Sequence, residues 1–296
     1  MTLKDFPTKD FQCVEKDVSL KNYTTFKIGG RCPMLINACS VGEINRAMRM
    51  CKELNLKLFV LGNGSNVLAL DGGFDGVVLH LGHRFAQVWC EGESVFALAG
   101  TSVKSVADCA LKNLLSGAEF LSTIPATVGG AVYMNAGCFG SDTAGILNRV
   151  WAADGEKEIE FYREDLDFGY RKSPFQENGL IVTKAEFTLC GCNEGFIASL
   201  GRELMSIKRV SQPLDAHSAG SVFKRQQGVY AGQLVDLAGL KGLQIGGACV
   251  SEKHAGFVIN KGGACSEDVL TLIDIVKNRV RDKFGVALET EIVIMQ

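Results

Sequence analysis

Three side chains in this sequence combine a reactive group with a local context that would present it to a ligand. Arg171 lies in the loop Gly-Tyr-Arg-Lys-Ser-Pro, three residues before the proline. Ser221 follows a glycine and precedes two cations, so a short hydroxyl is carried on a turn beside positive charge. Glu291 lies on an apolar face of a predicted strand, where a carboxylate is expected to be paired or functional. Each residue alone also fits an ordinary role: a solvated loop arginine, a turn serine or a glutamate that reaches water.

Two glycine-rich stretches could bind an anion through the main chain. The first is Gly62-Asn63-Gly64-Ser65-Asn66, and the second runs from Ser122 to Gly140 without a charged side chain. An anion there would be held by backbone N–H groups, hydroxyls and amides. Val67 stands where a dinucleotide-binding fingerprint needs a small residue, so a Rossmann site is excluded, and the sequence contains no Walker motif. The alternative is a buried tight turn.

A glycine-rich segment near the C-terminus gathers basic side chains. The chain as a whole has a formal net charge of -2, which gives no support for nucleic acid or an anionic membrane as partner. Local cations must therefore meet any anionic ligand, and this segment is the natural place for a phosphorylated substrate, although a solvated basic face is the alternative. The side chains are Lys224, Arg225, Lys241, Lys253, His254 and Lys261.

Length and composition favour an ordinary globular protein of two or three domains in 296 residues. The start of the sequence has no apolar signal region and no run reads as a membrane span, so we expect a cytoplasmic protein. The eleven cysteines are scattered singly, which predicts reduced thiols, most of them buried. No cluster of His or Cys has metal-ligand spacing, and we expect no metal.

The opening part predicts a small α/β unit. A strand over 34–39 meets Ser40, and Glu43 completes a capping-box signature for a helix. Apolar residues then recur at helical spacing, and Asn55 stands where a left-handed cap is common. A second strand over 58–61 delivers the glycine turn that starts at Gly62.

The middle predicts an α+β arrangement with mostly antiparallel strands. Strands are expected over 77–81, 85–90, 95–99 and 180–190, with a hairpin turn at Asp154-Gly155. Ser102 is predicted to cap a helix that has Leu114 on its inner face and ends at Gly117.

The last hundred residues predict two long helices and a terminal strand. One helix covers 196–210, and the other begins with Ser266 as its cap and closes at Gly285. A strand over 286–295 is expected to alternate, with one face formed by Leu288, Thr290, Ile292 and Ile294 and the other by Glu289, Glu291, Val293 and Met295.

Taken together, these motifs resemble the bacterial UDP-N-acetylenolpyruvoylglucosamine reductases, the flavoenzymes that complete UDP-N-acetylmuramate for peptidoglycan. The resemblance covers nearly the whole chain, and its pieces occur in the family's order. They are Thr25-Phe-Lys-Ile-Gly-Gly30, Leu61-Gly-Asn-Gly-Ser-Asn66, Ile124-Pro-Ala-Thr-Val-Gly-Gly-Ala131, Asn135-Ala-Gly137, Tyr170-Arg-Lys-Ser173, Gly220-Ser-Val-Phe-Lys224, Gly239-Leu-Lys-Gly242, Gly246-Gly-Ala248, Ser251 to His254 and Glu291-Ile292.

The resemblance implies a fold and a cofactor. Residues 1–75 and 76–195 would form two subdomains of an FAD-binding fold of the vanillyl-alcohol-oxidase (PCMH) type. Residues 196–296 would form a C-terminal α/β substrate domain whose final strand returns Glu291 to the active site. The protein would be a monomer of the shorter family type, without the extra substrate-covering loop. FAD would bind without a covalent bond to Gly62, Asn63, Gly64, Ser65, Asn66, Ser122, Ile124, Pro125, Thr127, Gly129, Gly130, Asn135 and Gly137.

The resemblance also implies roles for the reactive side chains. NADPH would reduce the flavin, which would pass hydride to carbon 3 of the enolpyruvyl group on a UDP-sugar. Arg171 and Glu291 would polarise the substrate carboxylate, and Ser221 would give a proton to carbon 2, with help from Lys224, Arg225 or a water. The remaining substrate contacts would come from Tyr170, Lys224, Arg225 and His254.

Three positions depart from the family pattern. Ala126 stands where glycine is usual, Arg225 and Gln226 replace an Asn-Pro pair, and the chain closes on Met295-Gln296 in place of Ile-Gly. Two other functions stay open on the sequence alone. One is another FAD-dependent oxidoreductase of the same fold, and the other is a non-catalytic homologue that binds a UDP-sugar or flavin.

Overall fold

The computed structural model describes residues 3–225 and 229–296. Its helices are α1 (Val41–Glu53), α2 (Val103–Lys112), α3 (Val128–Tyr133), α4 (Glu194–Ser211), α5 (Ala231–Leu237) and α6 (Ser266–Phe284). Its strands are β1 (Val14–Ser19), β2 (Arg31–Asn37), β3 (Lys57–Leu61), β4 (Val67–Ala69), β5 (Gly76–His80), β6 (Val88–Glu91), β7 (Ser94–Leu98), β8 (Leu115–Ser116), β9 (Gly137–Cys138), β10 (Ser141–Asp142), β11 (Leu147–Ala153), β12 (Glu158–Tyr162), β13 (Ile181–Thr188), β14 (Cys190–Gly191), β15 (His217–Ser221), β16 (Gln244–Ile245), β17 (Ala248–Val250), β18 (Phe257–Asn260) and β19 (Val293–Met295).

The described chain forms two compact units, each built from separate stretches of sequence. The first unit holds the residues up to Lys16 together with Met34–Asn63 and Gly76–Lys208. The second holds Asp17–Pro33, Gly64–Asp75 and Arg209–Gln296. The three predicted domain segments, with boundaries after residues 75 and 195, stay a prediction.

A parallel sheet with one covering helix opens the first unit. The strand order is β1-β2-β5-β3, and β5 pairs in parallel with both β2 and β3. Helix α1 buries Ile44, Ala47 and Cys51. Ser40 caps it by accepting the Glu43 N–H. The predicted strand-helix-strand opening is confirmed, but the strand predicted over 77–81 belongs to this parallel sheet and not to the antiparallel series that follows it.

An antiparallel sheet forms the rest of the first unit. Its strand order is β12-β11-β13-β7-β6, and β11 and β12 form the predicted hairpin around Asp154-Gly155. Gly155 has a positive φ of 100°, which glycine adopts without strain. Helices α2 and α3 contribute apolar side chains to the same core as this sheet. The segment between Ser122 and Gly140, which includes α3, is therefore packed against the sheet.

The second unit packs helices against a smaller antiparallel sheet. Its order is β15-β18-β17-β16, and α5 and α6 bury Leu234, Val235, Leu272 and Val276 in the same core. Strands β4 and β19 form a separate parallel pair in this unit. Gly285 ends α6 in the left-handed conformation, as predicted.

Helix α2 ends earlier than the sequence predicts. Its last residue is Lys112, and Asn113 donates its side-chain amide to the Cys109 carbonyl over the final turn. Leu114 then has a φ of 58° and is 49% exposed. The predicted inward position of Leu114 is wrong because the chain must leave the helix there for β8 to pair with β14.

The C-terminal elements also differ from their predictions. Cys265, not Ser266, is the cap of α6, because the Ser266 hydroxyl is bonded to the Asp71 carboxylate at 2.7 Å. The terminal strand covers only Val293–Met295. Ile294 is 37% exposed while Met295 is buried, so the predicted single alternating face over 286–295 is wrong.

All eleven cysteines are free thiols, but only Cys32, Cys51 and Cys249 are buried, so the prediction that most are buried is wrong. Burial raises the pKa of the Cys51 thiol to about 12. Within the described ranges, no helix is long and apolar enough to cross a membrane. The same residues offer no group of three or more potential ligands that could hold a metal ion.

Candidate active site

The start of the first glycine-rich turn contacts the second glycine-rich stretch within the first unit. The Asn63 side-chain amide donates to the Pro125 carbonyl at 2.7 Å. A Cβ on Gly62 would lie 2.3 Å from the Thr127 hydroxyl oxygen, so only glycine allows this approach. The two stretches predicted to bind the cofactor are thus neighbours here, although they are about sixty residues apart in sequence.

The glycine turn leaves main-chain donors available. Among the described residues, none accepts a hydrogen bond from the main-chain N–H groups of Asn63, Gly64 and Ser65. Gly64 is buried with a φ of 61°, and a Cβ on it would lie 2.1 Å from the Tyr23 carbonyl oxygen. Successive donors without protein acceptors are the feature that an anion-binding turn needs.

The second stretch differs, because the N–H groups at the start of α3 are already used. Val128 and Gly129 donate to the carbonyls of Thr101 and Ala99 at 2.8 and 2.9 Å. The Gly130 N–H is 3.4 Å from the Thr127 hydroxyl. A ligand could therefore lie close to this stretch, but these three N–H groups would not be available to donate hydrogen bonds to it.

Gly129 and Gly130 have different reasons to lack a side chain. A Cβ on Gly129 would lie 3.0 Å from the Ala99 Cβ, which is tighter than most contacts of this kind, so packing disfavours a side chain there. A Cβ on Gly130 would have its nearest described neighbour, the Thr127 hydroxyl, at 3.5 Å, which is an ordinary contact. Protein packing therefore does not explain Gly130, and a bound ligand would.

Other predicted cofactor residues have structural roles in the first unit. The Ser122 hydroxyl donates to the Glu119 carbonyl at 2.6 Å. Ile124 packs against the core. A Cβ on Gly137 would lie 2.4 Å from the Ser141 carbonyl oxygen, so the β9–β10 turn requires glycine. Asn135 is 2% exposed, and its amide is bonded to protein groups on both sides.

Arg171 is fixed beside the second glycine-rich stretch. It lies in a tight turn with a φ of 55°, an unusual conformation for a residue with a side chain. Its Nη2 donates to the Gly137 carbonyl at 3.2 Å, and its guanidinium lies 5.0 Å from the centre of the Tyr170 ring. The Tyr170 ring itself is 52% exposed and can contact a ligand.

Ser221 and Glu291 are neighbours in the second unit. Ser221 ends β15 after Gly220, which has a φ of 78°. The next residue, Val222, accepts the Glu291 N–H at 2.7 Å. The Ser221 hydroxyl makes one long hydrogen bond, 3.3 Å, to the Phe223 carbonyl. The structure thus brings together two of the three predicted catalytic residues through main-chain bonding.

The cations that follow Ser221 have partners of their own. Lys224 forms an ion pair with Glu289 at 3.3 Å. Arg225 donates to the Tyr230 hydroxyl at 2.8 Å, and its guanidinium lies 4.3 Å from the centre of that ring. Both groups are on the surface, where they can contact an anionic substrate. The departure at Gln226 lies outside the described residues.

His254 faces the same glycine as Ser221. Its Nδ1 accepts the Gly256 N–H at 3.1 Å, which places the proton of the neutral ring on Nε2. A Cβ on Gly256 would lie 3.3 Å from the Ser221 hydroxyl oxygen and 3.0 Å from His254 Cε1. Gly256 therefore keeps open the space that both side chains border, and no sequence pattern identified it in advance.

Comparison with known proteins matches both parts of the chain. Residues 33–153 match the family model described as an FAD binding domain. Residues 212–295 match the UDP-N-acetylenolpyruvoylglucosamine reductase C-terminal domain. A reductase of that name from Clostridium novyi is 41% identical over 97% of this chain and 93% of its own length, and one from Clostridium kluyveri is 38% identical over 97% and 94%. The chain belongs to the UDP-N-acetylenolpyruvoylglucosamine reductase family.

A solved member of the family has the same fold. The crystal structure of the reductase (MurB) from Thermus caldophilus gives a TM-score of 0.84 at 36% identity, covering 97% of this chain and all of that one. As a member of the reductase family, the chain is an oxidoreductase whose cofactor is FAD. The predicted fold class, an FAD-binding fold followed by a C-terminal substrate domain, is confirmed.

The departure from the family pattern at Ala126 has a simple explanation. A glycine is required only where φ is positive or space is lacking. Ala126 is absent from the positive-φ residues of the described chain, and it packs against the core of the first unit. Alanine is therefore compatible with the backbone here, and its carbonyl accepts the Val103 N–H at 3.0 Å.

We expect His254 to titrate below the usual histidine range in this reductase. Burial lowers the pKa of its ring. Protonation of Nδ1 would also lose the hydrogen bond that this atom accepts from the Gly256 N–H, because two donors would then face each other. The unfolded chain then binds more protons than the folded one just below about pH 6.5, so the free energy of unfolding should fall as pH decreases through that range. NMR titration of the ring measures this directly, with the signal assigned from a His254→Asn variant. A midpoint at or above the unfolded value would contradict the assignment.

Proposed function

We propose that this chain reduces UDP-N-acetylglucosamine enolpyruvate to UDP-N-acetylmuramate with NADPH as hydride donor, in the synthesis of peptidoglycan precursors. The observation that carries the proposal is the hydrogen bond between Arg171 and the Gly137 carbonyl. It attaches a guanidinium, the side chain best suited to binding a carboxylate, to the stretch proposed to contact FAD.

The residues in the two glycine-rich stretches fit FAD. The N–H groups of Asn63, Gly64 and Ser65 would donate to its diphosphate, and the stretch near Gly130 would let its ring system approach the main chain. When bound, FAD would take hydride from NADPH and deliver it to the substrate. The side chains from Ser122 to Gly140 are all uncharged, so this stretch itself suits a neutral ring.

Arg171 and Glu291 would act on the substrate carboxylate. Hydride addition at carbon 3 of the enolpyruvyl group places negative charge on carbon 2 and the attached carboxylate. A guanidinium held in a fixed turn stabilises that charge without reorganising, which is the main source of catalysis in such reactions. Glu291 would orient the same carboxylate, and its main chain is fixed by the bond to Val222.

Ser221 would complete the reduction by protonating carbon 2. Among the described residues its hydroxyl has the one long bond to the Phe223 carbonyl to give up, so it can turn toward a substrate at small cost. Serine is a weak acid in water, and an accumulating charge on carbon 2 is what makes the transfer possible. Water would then return a proton to the hydroxyl.

The remaining contacts would bind the UDP part of the substrate. Lys224 and Arg225 supply exposed cations for the diphosphate, and His254 supplies an Nε2–H donor. Tyr170 presents an exposed ring. These four residues are proposals for substrate binding, and each can be replaced without changing a buried apolar side chain.

Steady-state NADPH oxidation tests the proposed function. The purified yellow protein should consume NADPH only when UDP-N-acetylglucosamine enolpyruvate is added, and should form one UDP-N-acetylmuramate for each NADPH. UDP-N-acetylglucosamine, which lacks the enolpyruvyl group, is the matched control and should give no oxidation above background. Equal NADPH consumption with and without the enolpyruvyl substrate would reject the proposal.

Replacing Gly130 with alanine should separate cofactor binding from folding. In the helix the added methyl group has room among protein atoms, and alanine is favoured over glycine there by about 0.5–1 kcal/mol. Stability should be unchanged or higher, whereas the Kd for FAD should rise about tenfold or more, which is a loss of about 1.4 kcal/mol. Fluorescence titration of apoprotein with FAD measures the Kd. Gly72→Ala, at a position with no atom within 4 Å of a Cβ, is the control and should leave both quantities unchanged.

A further inference from the structure

Asn135 connects the second glycine-rich stretch to the turn that carries Arg171. Its side-chain Nδ2 donates to the Gly169 carbonyl at 2.9 Å, and to the Asp142 carboxylate at 3.2 Å. Its Oδ1 accepts the Ala144 N–H at 2.9 Å. These partners fix which end of the amide is which, because the carbonyl and the carboxylate can only accept. The side chain is 2% exposed and makes three hydrogen bonds to protein groups.

The turn from Gly169 to Lys172 is closed by main-chain bonds and needs support. Gly169 and Lys172 bond to each other in both directions, at 3.0 and 3.1 Å, and Arg171 between them has a φ of 55°. A left-handed conformation costs a residue with a Cβ about 1 kcal/mol or more, so surrounding contacts must hold it. The Asn135 amide supplies such a contact at the first residue of the turn.

Two further side chains hold the other end of the turn to the same segment. The Ser173 hydroxyl, which is fully buried, donates to the Tyr133 carbonyl at 2.6 Å. Gln176 donates to the Tyr133 carbonyl at 2.9 Å and to the Arg171 carbonyl at 3.1 Å. The turn is therefore attached at one end to the last residue of α3 and at the other to Asn135, which lies between α3 and β9.

We propose that Asn135 is a positioning residue for the reaction, which holds the Arg171 guanidinium in the geometry that stabilises the substrate carboxylate. This inference rests on the proposed function, because it assumes the catalytic role of Arg171. It gives the Asn135 side chain a role different from the predicted binding of FAD. An arginine displaced by about 1 Å can lose much of its effect on the rate. A buried amide that does not contact the substrate can therefore have a large effect on the rate, because it positions the arginine.

The kinetic test compares Asn135→Ala with Asn45→Ala. Asn45 is also a buried asparagine of the first unit, and its Oδ1 accepts the Gly155 N–H at 2.9 Å, so both variants lose a buried amide. In Asn135→Ala, reoxidation of reduced flavin by the enolpyruvyl substrate should slow about 10- to 100-fold, while reduction by NADPH and the Kd for FAD stay within about twofold. Asn45→Ala should leave all three unchanged. Parallel loss of FAD binding or of reduction by NADPH in Asn135→Ala would overturn the positioning role.

A double-mutant cycle shows whether Asn135 acts through Arg171. Residues that act as one unit are not additive, so Asn135→Ala should cost little further rate in an Arg171→Ala background. A full additional 10-fold loss there would mean that Asn135 acts by another route. Gln176 is partly exposed, and Gln176→Ala removes the hydrogen bond to the turn at its other end. If Asn135→Ala fails to fold, Gln176→Ala replaces it in the cycle and should show the same non-additivity with Arg171→Ala.

Limited trypsin digestion tests the positioning without any turnover. Trypsin cleaves after Arg171 and Lys172, and the closed turn should resist it in the wild-type holoenzyme. Asn135→Ala and Gln176→Ala should be cleaved there about tenfold faster, and Asn45→Ala should not, since local opening sets the cleavage rate. If wild-type protein turns over no substrate but this pattern is found, the proposed function fails and the structural link stands. Equal cleavage of all variants would overturn the link itself.

Discussion

Replacing Ser221 with alanine should stop transfer of reducing equivalents to the substrate and leave reduction of the flavin by NADPH near its normal rate. The variant removes the proton proposed for carbon 2 but changes no residue of the glycine-rich stretches. General acid catalysis contributes about 10²- to 10⁴-fold to such a rate. Stopped-flow absorbance of the flavin measures each half-reaction separately. Reoxidation should fall by at least about 10³-fold.

Ser218→Ala provides the matched control for this experiment. Ser218 lies on the same strand, β15, and its hydroxyl accepts a long bond, 3.4 Å, from the Gly220 N–H. Both half-reactions should keep their normal rates in the control. Loss of reduction by NADPH in Ser221→Ala, to the same degree as the loss of reoxidation, would show that the hydroxyl is not the proton donor.

Replacing Arg171 with lysine should reduce turnover about 10²- to 10³-fold, which is the range found when one donor to a developing oxyanion is removed. Lysine keeps the positive charge but lacks the planar fork that can hold a carboxylate and still reach the Gly137 carbonyl. The loss should lie in the reoxidation step, and Arg171→Ala should be at least as slow. Rapid-reaction kinetics with the enolpyruvyl substrate give both values.

Arg163→Lys is the control for the arginine variants. Arg163 is in the same unit, donates to the Ala144 carbonyl at 3.1 Å and lies 5.0 Å from the centre of the Phe168 ring, so its surroundings are similar to those of Arg171. It should change stability slightly and leave turnover unchanged. Near-normal turnover in Arg171→Lys would show that charge alone is sufficient and that the geometry of the turn is not used.

Local signals in the sequence predicted the local structure well. The Ser40 cap, the apolar face of α1, the left-handed Asn55 and Gly285, and the hairpin at Asp154-Gly155 are all found where chain neighbours determine them. Short-range hydrogen bonds and helical spacing are sufficient at these positions, because the partners are within four residues of each other.

Features set by distant partners were predicted poorly. β5 pairs with residues that are 19 positions earlier in β3 and 43 positions earlier in β2. The face of the last strand changes where its partner changes from the segment at Val222 to β4. Periodicity within a strand carries no information about such partners. Leu114 turned outward for the same reason, since β8 had to reach β14.

The candidate site shows the same division. The reactive residues were identified from the sequence by residue type and motif. The role of each surrounding residue depends on its packing in the fold. Asn135 occurs in a glycine-rich stretch that suggested a cofactor contact. Its side-chain amide donates instead to the carbonyl of Gly169, 34 residues later, in the turn that carries Arg171. Gly129 and Gly130 are adjacent and identical in type, yet a side chain at Gly129 would crowd Ala99 and one at Gly130 would make an ordinary contact with Thr127. Atomic distances were needed to separate these roles.

Single-turnover reoxidation tests the central claim most directly. Enzyme reduced anaerobically with one equivalent of NADPH is mixed with one equivalent of UDP-N-acetylglucosamine enolpyruvate, and flavin absorbance and product mass are followed together. The proposed function predicts full return of the oxidised flavin spectrum and conversion of the substrate to UDP-N-acetylmuramate. A flavin that stays reduced, with the enolpyruvyl compound recovered unchanged, would contradict it.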